Sequence, residues 1–112
     1  MGQAKAAVDE YRHSLRLQPN DIVVHFNLAE VLPQLDDFEG ADTEYREIVP
    51  LGGDISPADL DNPLVHYCRA MSLNRIGDST GAIKEMRSAL ELDPENDGFR
   101  SEYLRLLRDK RT

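Results

Sequence analysis

The residues with the most chemical potential in this chain are three histidines and one cysteine: His13, His25, His66 and Cys68. Imidazole nitrogens and thiolates bind transition metals, and a thiolate beside a base can act as a nucleophile. Both kinds of site need at least two such groups close together in space. The elements that carry these four side chains therefore decide whether either chemistry is available.

The spacing of these groups keeps them apart. His25 and His66 are 41 residues apart, at corresponding positions of a repeated helical pattern, which places them on the order of 10 Å from one another. Cys68 has Arg69 as its one cationic neighbour within a helical turn, and Arg69 points elsewhere on a helix. We therefore expect core or half-buried histidines, no metal or other cofactor, and no enzymatic activity.

Two further pairs lack the context that chemistry would require. Asp36 and Asp37 lie between two apolar segments, where carboxylates form a turn and Asp37 can cap the following helix. Gly52 and Gly53 lack the strand-loop-helix context of a phosphate-binding loop. Neither pair predicts a catalytic or a nucleotide site.

Composition indicates a helix-rich domain with an acidic surface. The chain has 112 residues, of which 40% are hydrophobic, and a formal net charge of −8. Nucleic acid is not an expected partner, because binding it requires a basic footprint. Residues 1–99 carry a net charge of −11 and residues 100–112 a net charge of +3. The basic end is either a docking patch or, as we favour, a complement to the helix dipole.

Cysteine content and hydropathy predict the compartment. A single cysteine excludes an internal disulfide and fits a reducing environment. The sequence contains no apolar run of about 18 residues, so membrane insertion is not expected. Residues 1–12 also lack the apolar core of a signal peptide. We expect a cytoplasmic protein.

Six segments carry apolar residues at spacings of three and four, the period of an amphipathic α-helix. They are residues 3–17, 22–34, 38–49, 63–76, 79–92 and 97–109. Pro33 should end or kink the second helix, because proline removes a backbone donor and disfavours helical geometry in the residue before it. Residues 50–62 form the long connection, in which Ser56 and Pro57 predict a short helical turn.

A repeat of 34 residues relates these helices to one another. Ala7 and Tyr11 recur as Ala41 and Tyr45, and the four-residue separation within each pair places both residues on one helical face. A helical face that returns at this period predicts stacked helix pairs. The next interval, from Ala41 to Ala82, is 41 residues, so seven additional residues must lie in the 50–62 connection.

On these residues the chain resembles the tetratricopeptide repeat family. The resemblance rests on Phe38 with Ala41-x-x-x-Tyr45, Gly77-Asp78 before Ala82, and Ala89-Leu-Glu-Leu-Asp-Pro94. It covers essentially the whole chain, and it implies one all-α domain, 1–112, folded as a superhelical solenoid of antiparallel helix pairs. Its parts are a half repeat (3–17), a repeat (22–49), an insertion loop (50–62), a repeat (63–92) and a capping helix (97–109).

The chain departs from the family pattern at several positions. The family usually has tryptophan where His25 and His66 stand, and leucine where Arg69 stands. The capping helix should turn its charged residues to water, namely Arg100, Glu102, Arg105 and Arg108.

The first repeat has only its second helix, since Gly2 aligns with the glycine that turns between the two helices of a repeat. The apolar stripe of residues 3–17 should then lack part of its cover; its members include Ala4, Val8, Tyr11 and Leu15. Two explanations stay open. The favoured one is that the chain is a fragment of a longer array, and the alternative is that a second subunit supplies the cover in a homodimer.

The resemblance implies that the first helices of the repeats line a concave face and bind a protein or peptide there. The lining positions are Val23, Phe26, Asn27, Glu30, Leu64, Tyr67, Cys68 and Met71, with Asn74 and Arg75 at the rim. Part of the family holds acidic C-terminal peptides in a carboxylate clamp. Asn27 matches a clamp asparagine, but Leu64 and Cys68 stand at the basic clamp positions and cannot bind a carboxylate.

An apolar face with one amide suits a hydrophobic peptide or an amphipathic helix. A protein-interaction module, as part of a larger scaffold, is therefore the predicted function. Internal packing of Phe26, Tyr67 and Met71 against the chain itself is an equally weighted alternative for those side chains. The alternative function is self-assembly through the N-terminal helix.

Overall fold

The computed structural model describes residues 2–51 and 61–110, and the regular structure in these ranges is helical throughout. The α-helices are α1 (Gly2–Leu17), α2 (Ile22–Val31), α3 (Phe38–Leu51), α4 (Pro63–Arg75), α5 (Ser79–Leu92) and α6 (Asp97–Lys110). Sequential helices pack in antiparallel pairs, and α2 and α3 also contact α4 in the next pair. The predicted all-α helical repeat fold is confirmed. The short helical turn predicted at Ser56 and Pro57 lies outside the described residues.

The second helix ends at the proline, as predicted. The α-helical part of this segment stops at Val31, and Leu32–Leu35 continue as a single 3₁₀ turn with Pro33 near its start. Asp36 then adopts the left-handed conformation at φ 61°, and the corresponding turn of the next repeat uses Gly77 at φ 96°. Because glycine enters this region without a Cβ penalty, the Asp36 turn is the costlier of the two.

Aspartate or asparagine begins five of the described helices. Each side chain accepts a hydrogen bond from a backbone N–H two or three residues later, which satisfies one of the donors that a helix start leaves free. The donor–acceptor pairs are Val24 to Asp21 (3.2 Å), Gly40 to Asp37 (2.8 Å), Leu64 to Asn62 (3.0 Å), Gly81 to Asp78 (2.9 Å) and Phe99 to Asn96 (3.0 Å). The acidic turns thus position the helices, as expected for Asp37.

Small residues permit close helix crossings. The alanines at the crossings are fully buried: Ala29, Ala41, Ala70, Ala82 and Ala89. They belong to two apolar clusters, one formed by the first four helices and the other by α4, α5 and α6. Because α4 contributes to both clusters, its orientation couples the two halves of the array.

The N-terminal stripe faces the chain itself, which corrects the expectation of an exposed surface for self-association. Ala4 and Val8 are buried, and Tyr11 and Leu15 pack against the first apolar cluster. The partner surface comes from α2 and the 3₁₀ turn, which both contact α1. Because much of its apolar surface is already covered by the chain, this stripe offers less surface for a homodimer than the sequence predicted.

Candidate functional site

The candidate site is the face on which α2 and α4 lie side by side. Asn27, Glu30 and Leu64 keep exposed surface there, and the Leu64 side chain is the most open of the apolar ones, with 43% of its surface accessible. Val23 and Met71 are half-buried and pack against the first apolar cluster. The face therefore combines an apolar strip with one amide and one carboxylate.

Two of the predicted lining residues are in the core, which corrects their assignment to the binding face. Phe26 is 7% exposed and Cys68 is fully buried. Phe26 makes edge-to-face contacts with Tyr45 at 6.1 Å and with Tyr67 at 5.9 Å, measured between ring centroids. Tyr67 also stacks on Phe99 of α6 at 5.2 Å. Of the two alternatives left by the sequence, internal packing holds for Phe26 and for most of Tyr67.

These four aromatic rings form a continuous row that connects the helices of the binding face to their neighbours. It runs through α3, α2, α4 and α6 in the order Tyr45, Phe26, Tyr67 and Phe99. Aromatic pairs in these geometries add about 0.5–1.5 kcal/mol each to the free energy of burial. The backbones of α2 and α4 are thereby held at a defined separation.

The rim residues enclose a cavity of about 220 Å³. Its lining is Glu30, Tyr45, Met71, Asn74 and Arg75. The Arg75 guanidinium lies 5.2 Å from the centroid of the Tyr45 ring, and Arg75 Nε is 3.5 Å from Asp42 Oδ1. Arg75 is thus engaged by a ring and a carboxylate of α3.

Two charged residues of α6 that were expected to face water are instead partly buried. Glu102 and Arg105 are half-buried and ion-paired, with Arg105 Nε 3.0 Å from Glu102 Oε2 and Arg105 Nη1 3.3 Å from Asp109 Oδ2. The charges of Glu102 and Arg105 both act on the Tyr67 hydroxyl. The repeat could have located them, since they follow Cys68 and Met71 by 34 residues.

Burial and the charge of Glu30 dominate the electrostatics of the face. Desolvation raises the pKa of the Tyr45 hydroxyl to about 12, and the neighbouring Glu30 charge adds to the effect. Burial likewise raises the pKa of the Cys68 thiol to about 12, again with a contribution from Glu30. Cys68 therefore stays a thiol, which removes the nucleophile that a cysteine could have supplied.

The histidines that replace the family's tryptophans join the two helices of each repeat. His25 Nδ1 lies 3.0 Å from Glu44 Oε1, and His66 Nδ1 lies 2.8 Å from Glu85 Oε2. The other oxygen of Glu85 is 3.2 Å from Arg69 Nη1. Both histidines are thus committed to carboxylates, nineteen residues away in each case.

A metal-binding cluster and a membrane-spanning helix are both absent from the described residues. No group of three or more histidine, cysteine, aspartate or glutamate side chains is arranged there to hold a metal ion. In the same ranges no helix combines the length and the apolar character that crossing a bilayer requires.

Comparison with known proteins identifies the repeat. Residues 65–96 match the model of the tetratricopeptide repeat. A solved structure of similar fold is the first TPR of Spaghetti (RPAP3) bound to the HSP90 peptide SRMEEVD. It aligns with 99% of this chain and 82% of its own, with a TM-score of 0.66 and 20% sequence identity. At that identity the likeness is one of fold, and the predicted resemblance to the tetratricopeptide repeat family is confirmed.

Proposed function

We propose that this tetratricopeptide-repeat chain is a non-catalytic, cytoplasmic module that binds a segment of another protein on the face formed by α2 and α4. The observation that carries the proposal is the juxtaposition of exposed Leu64, half-buried Met71 and the Asn27 amide on a face backed by a packed aromatic row. A preformed face loses little conformational entropy of its own when it binds a peptide.

The bound segment is a peptide in extended form or an amphipathic helix. Leu64 and Met71 are seven residues apart on α4, so they lie two helical turns apart on one side of it. This spacing matches two apolar anchors of a ligand that runs along the helix. Asn27 and Asn74 can both donate to and accept from a peptide backbone.

The relative described above supports a peptide as ligand and argues for a different peptide chemistry here. Its peptide, SRMEEVD, has three acidic residues among its last four. At the two positions where the family's clamp is basic, this chain has Leu64 and the buried Cys68. A carboxylate placed there would lose hydration without gaining an ion pair, which costs several kcal/mol.

Selection from a displayed random-peptide library, followed by fluorescence anisotropy of the enriched peptides, tests this proposal. Leu64→Glu should weaken binding by about tenfold or more, because it places a charge among the apolar contacts. Leu17→Glu is the matched control, since Leu17 is more exposed and lies at the end of α1, away from the face. Equal affinity of the two variants, or no enrichment by the wild type, would contradict the proposal.

A further inference from the structure

Glu30 carries a charge that no ion pair of the described residues balances, and its hydrogen-bond partner, the Tyr45 hydroxyl, is neutral. Its side chain is exposed on the binding face, and no lysine, arginine or histidine of the described ranges lies within ion-pair distance of it. Two neighbouring carboxylates are paired: Asp42 of α3 with Arg75, and Glu102 of α6 with Arg105. Glu30 is therefore the acidic group that a ligand could neutralise.

The surroundings of Glu30 suit the stem of a long cationic side chain. Met71 and the Tyr45 ring line the same 220 Å³ cavity and supply apolar surface. Lysine and arginine stems pack well on such surface while the charged head reaches a carboxylate. The Asn74 amide oxygen gives a second acceptor in the cavity.

Arg75 is the one other charged residue among those that line this cavity, and it is already engaged by neighbouring groups. Arg75 is directed to the Tyr45 ring and to Asp42 of α3. Burial is the largest cause of the raised pKa values of Tyr45, Tyr67 and Cys68. The negative charge of Glu30 contributes to each of the three shifts. Of the two charged residues that line the cavity, Glu30 is therefore the one without an ion-pair partner in the described ranges.

The charge of the whole chain acts in the same direction. Residues 1–99 carry a net charge of −11, and α1 to α5 lie in this range. Such a field attracts cationic peptides and slows the approach of acidic ones, most strongly at low ionic strength.

We infer that the face between α2 and α4 selects peptides that present a lysine or arginine to Glu30, next to an apolar residue that contacts Met71 or Leu64. The inference rests on the proposed function and names the chemistry of its ligand. It assigns this chain the opposite charge preference from the acidic peptide of the relative described above.

The test uses the random-peptide selection on the full chain, repeated with Glu30→Gln. Wild type should enrich peptides with lysine or arginine beside an apolar residue, and Glu30→Gln should lose the basic preference. For one enriched peptide, anisotropy should show binding about tenfold weaker to Glu30→Gln than to wild type. Glu91→Gln on α5 removes the same charge outside the face, and should change affinity by less than about twofold.

The partner peptide with glutamine in place of its basic residue separates the specific contact from the general field. It should bind wild type and Glu30→Gln with equal affinity. Enrichment of neutral or acidic peptides whose binding Leu64→Glu abolishes would overturn the cationic preference and leave the proposed function standing. No enrichment, or binding that Leu64→Glu leaves intact, would overturn both.

Discussion

His25 of α2 and Glu44 of α3 form a nearly buried pair, with Nδ1 3.0 Å from Oε1. The other ring nitrogen, Nε2, lies 2.7 Å from the carbonyl oxygen of Pro19, which can only accept. This geometry suits the protonated ring, in which both nitrogens donate. The hydrogen bond to Glu44 raises the pKa of His25 above 6.5 against the opposing effect of burial, with help from the Pro19 carbonyl and the charge of Glu47.

This pair makes the stability of the fold depend on pH. Because the folded-state pKa of His25 exceeds its unfolded value, the stabilisation is complete below about pH 6.5 and disappears as pH rises through the raised pKa. Each unit of elevation is worth about 1.4 kcal/mol. Urea unfolding of wild type from about pH 6 to about pH 9 should show this decline, and His25→Gln should reduce it.

An NMR titration of His25 provides the direct check. The ring should titrate with a midpoint above 6.5 in wild type, and Glu44→Gln should lower that midpoint. A midpoint at or below 6.5 in the folded protein would contradict the assignment of an imidazolium donating to both partners.

Phe26 and Leu64 should respond differently to truncation although both were predicted to line the binding face. Phe26→Ala removes a core ring between Tyr45 and Tyr67, and should cost about 3–5 kcal/mol of unfolding free energy. Leu64→Ala removes a largely exposed side chain and should cost less than about 1 kcal/mol. Chemical denaturation measures both, and similar losses would place Leu64 in the core as well.

The helices and their pairing could be predicted from the sequence because they depend on local and periodic signals. The recurrence of Ala41 as Ala82 marks crossings where both side chains are fully buried. Pro33 ends a helix because it removes a backbone donor and disfavours helical geometry in the residue before it. Such signals require no knowledge of distant residues. The same register could also have located Glu102 and Arg105, had the 34-residue interval been extended into the last helix.

Burial within the binding face could not be predicted in the same way. Phe26 and Leu64 both lie at positions that the sequence predicted to line the binding face, yet only Phe26 of the two has neighbouring rings on two other helices. Tyr67 is covered by Phe99 of α6, and Phe99 does not stand at the repeat position that Tyr67 occupies. Contacts between successive helix pairs, rather than position within a pair, decide which side chains stay open.

Cys68 should be unreactive in the folded protein. Its thiol is fully buried, and burial raises its pKa to about 12, so the thiolate population at neutral pH is negligible. Modification by an aromatic disulfide reagent should be at least about 100-fold slower in buffer than in denaturant. Rapid labelling of a chain that retains its helical circular dichroism would show that Cys68 is on the surface.

Glu85 should matter more than Glu44 because it holds two groups instead of one. Its carboxylate contacts both His66 Nδ1 and Arg69 Nη1, and all three side chains are largely buried. Glu85→Gln would leave the Arg69 guanidinium without its counter-charge, at a cost of about 2 kcal/mol, whereas Glu44→Gln affects His25 alone.

The position equivalent to Arg69 in the previous repeat is Leu28, so Arg69→Leu should recover part of the loss in the Glu85→Gln background. Urea denaturation of the two single variants and the double variant gives the coupling energy, and strictly additive losses would mean that Glu85 and Arg69 contribute independently.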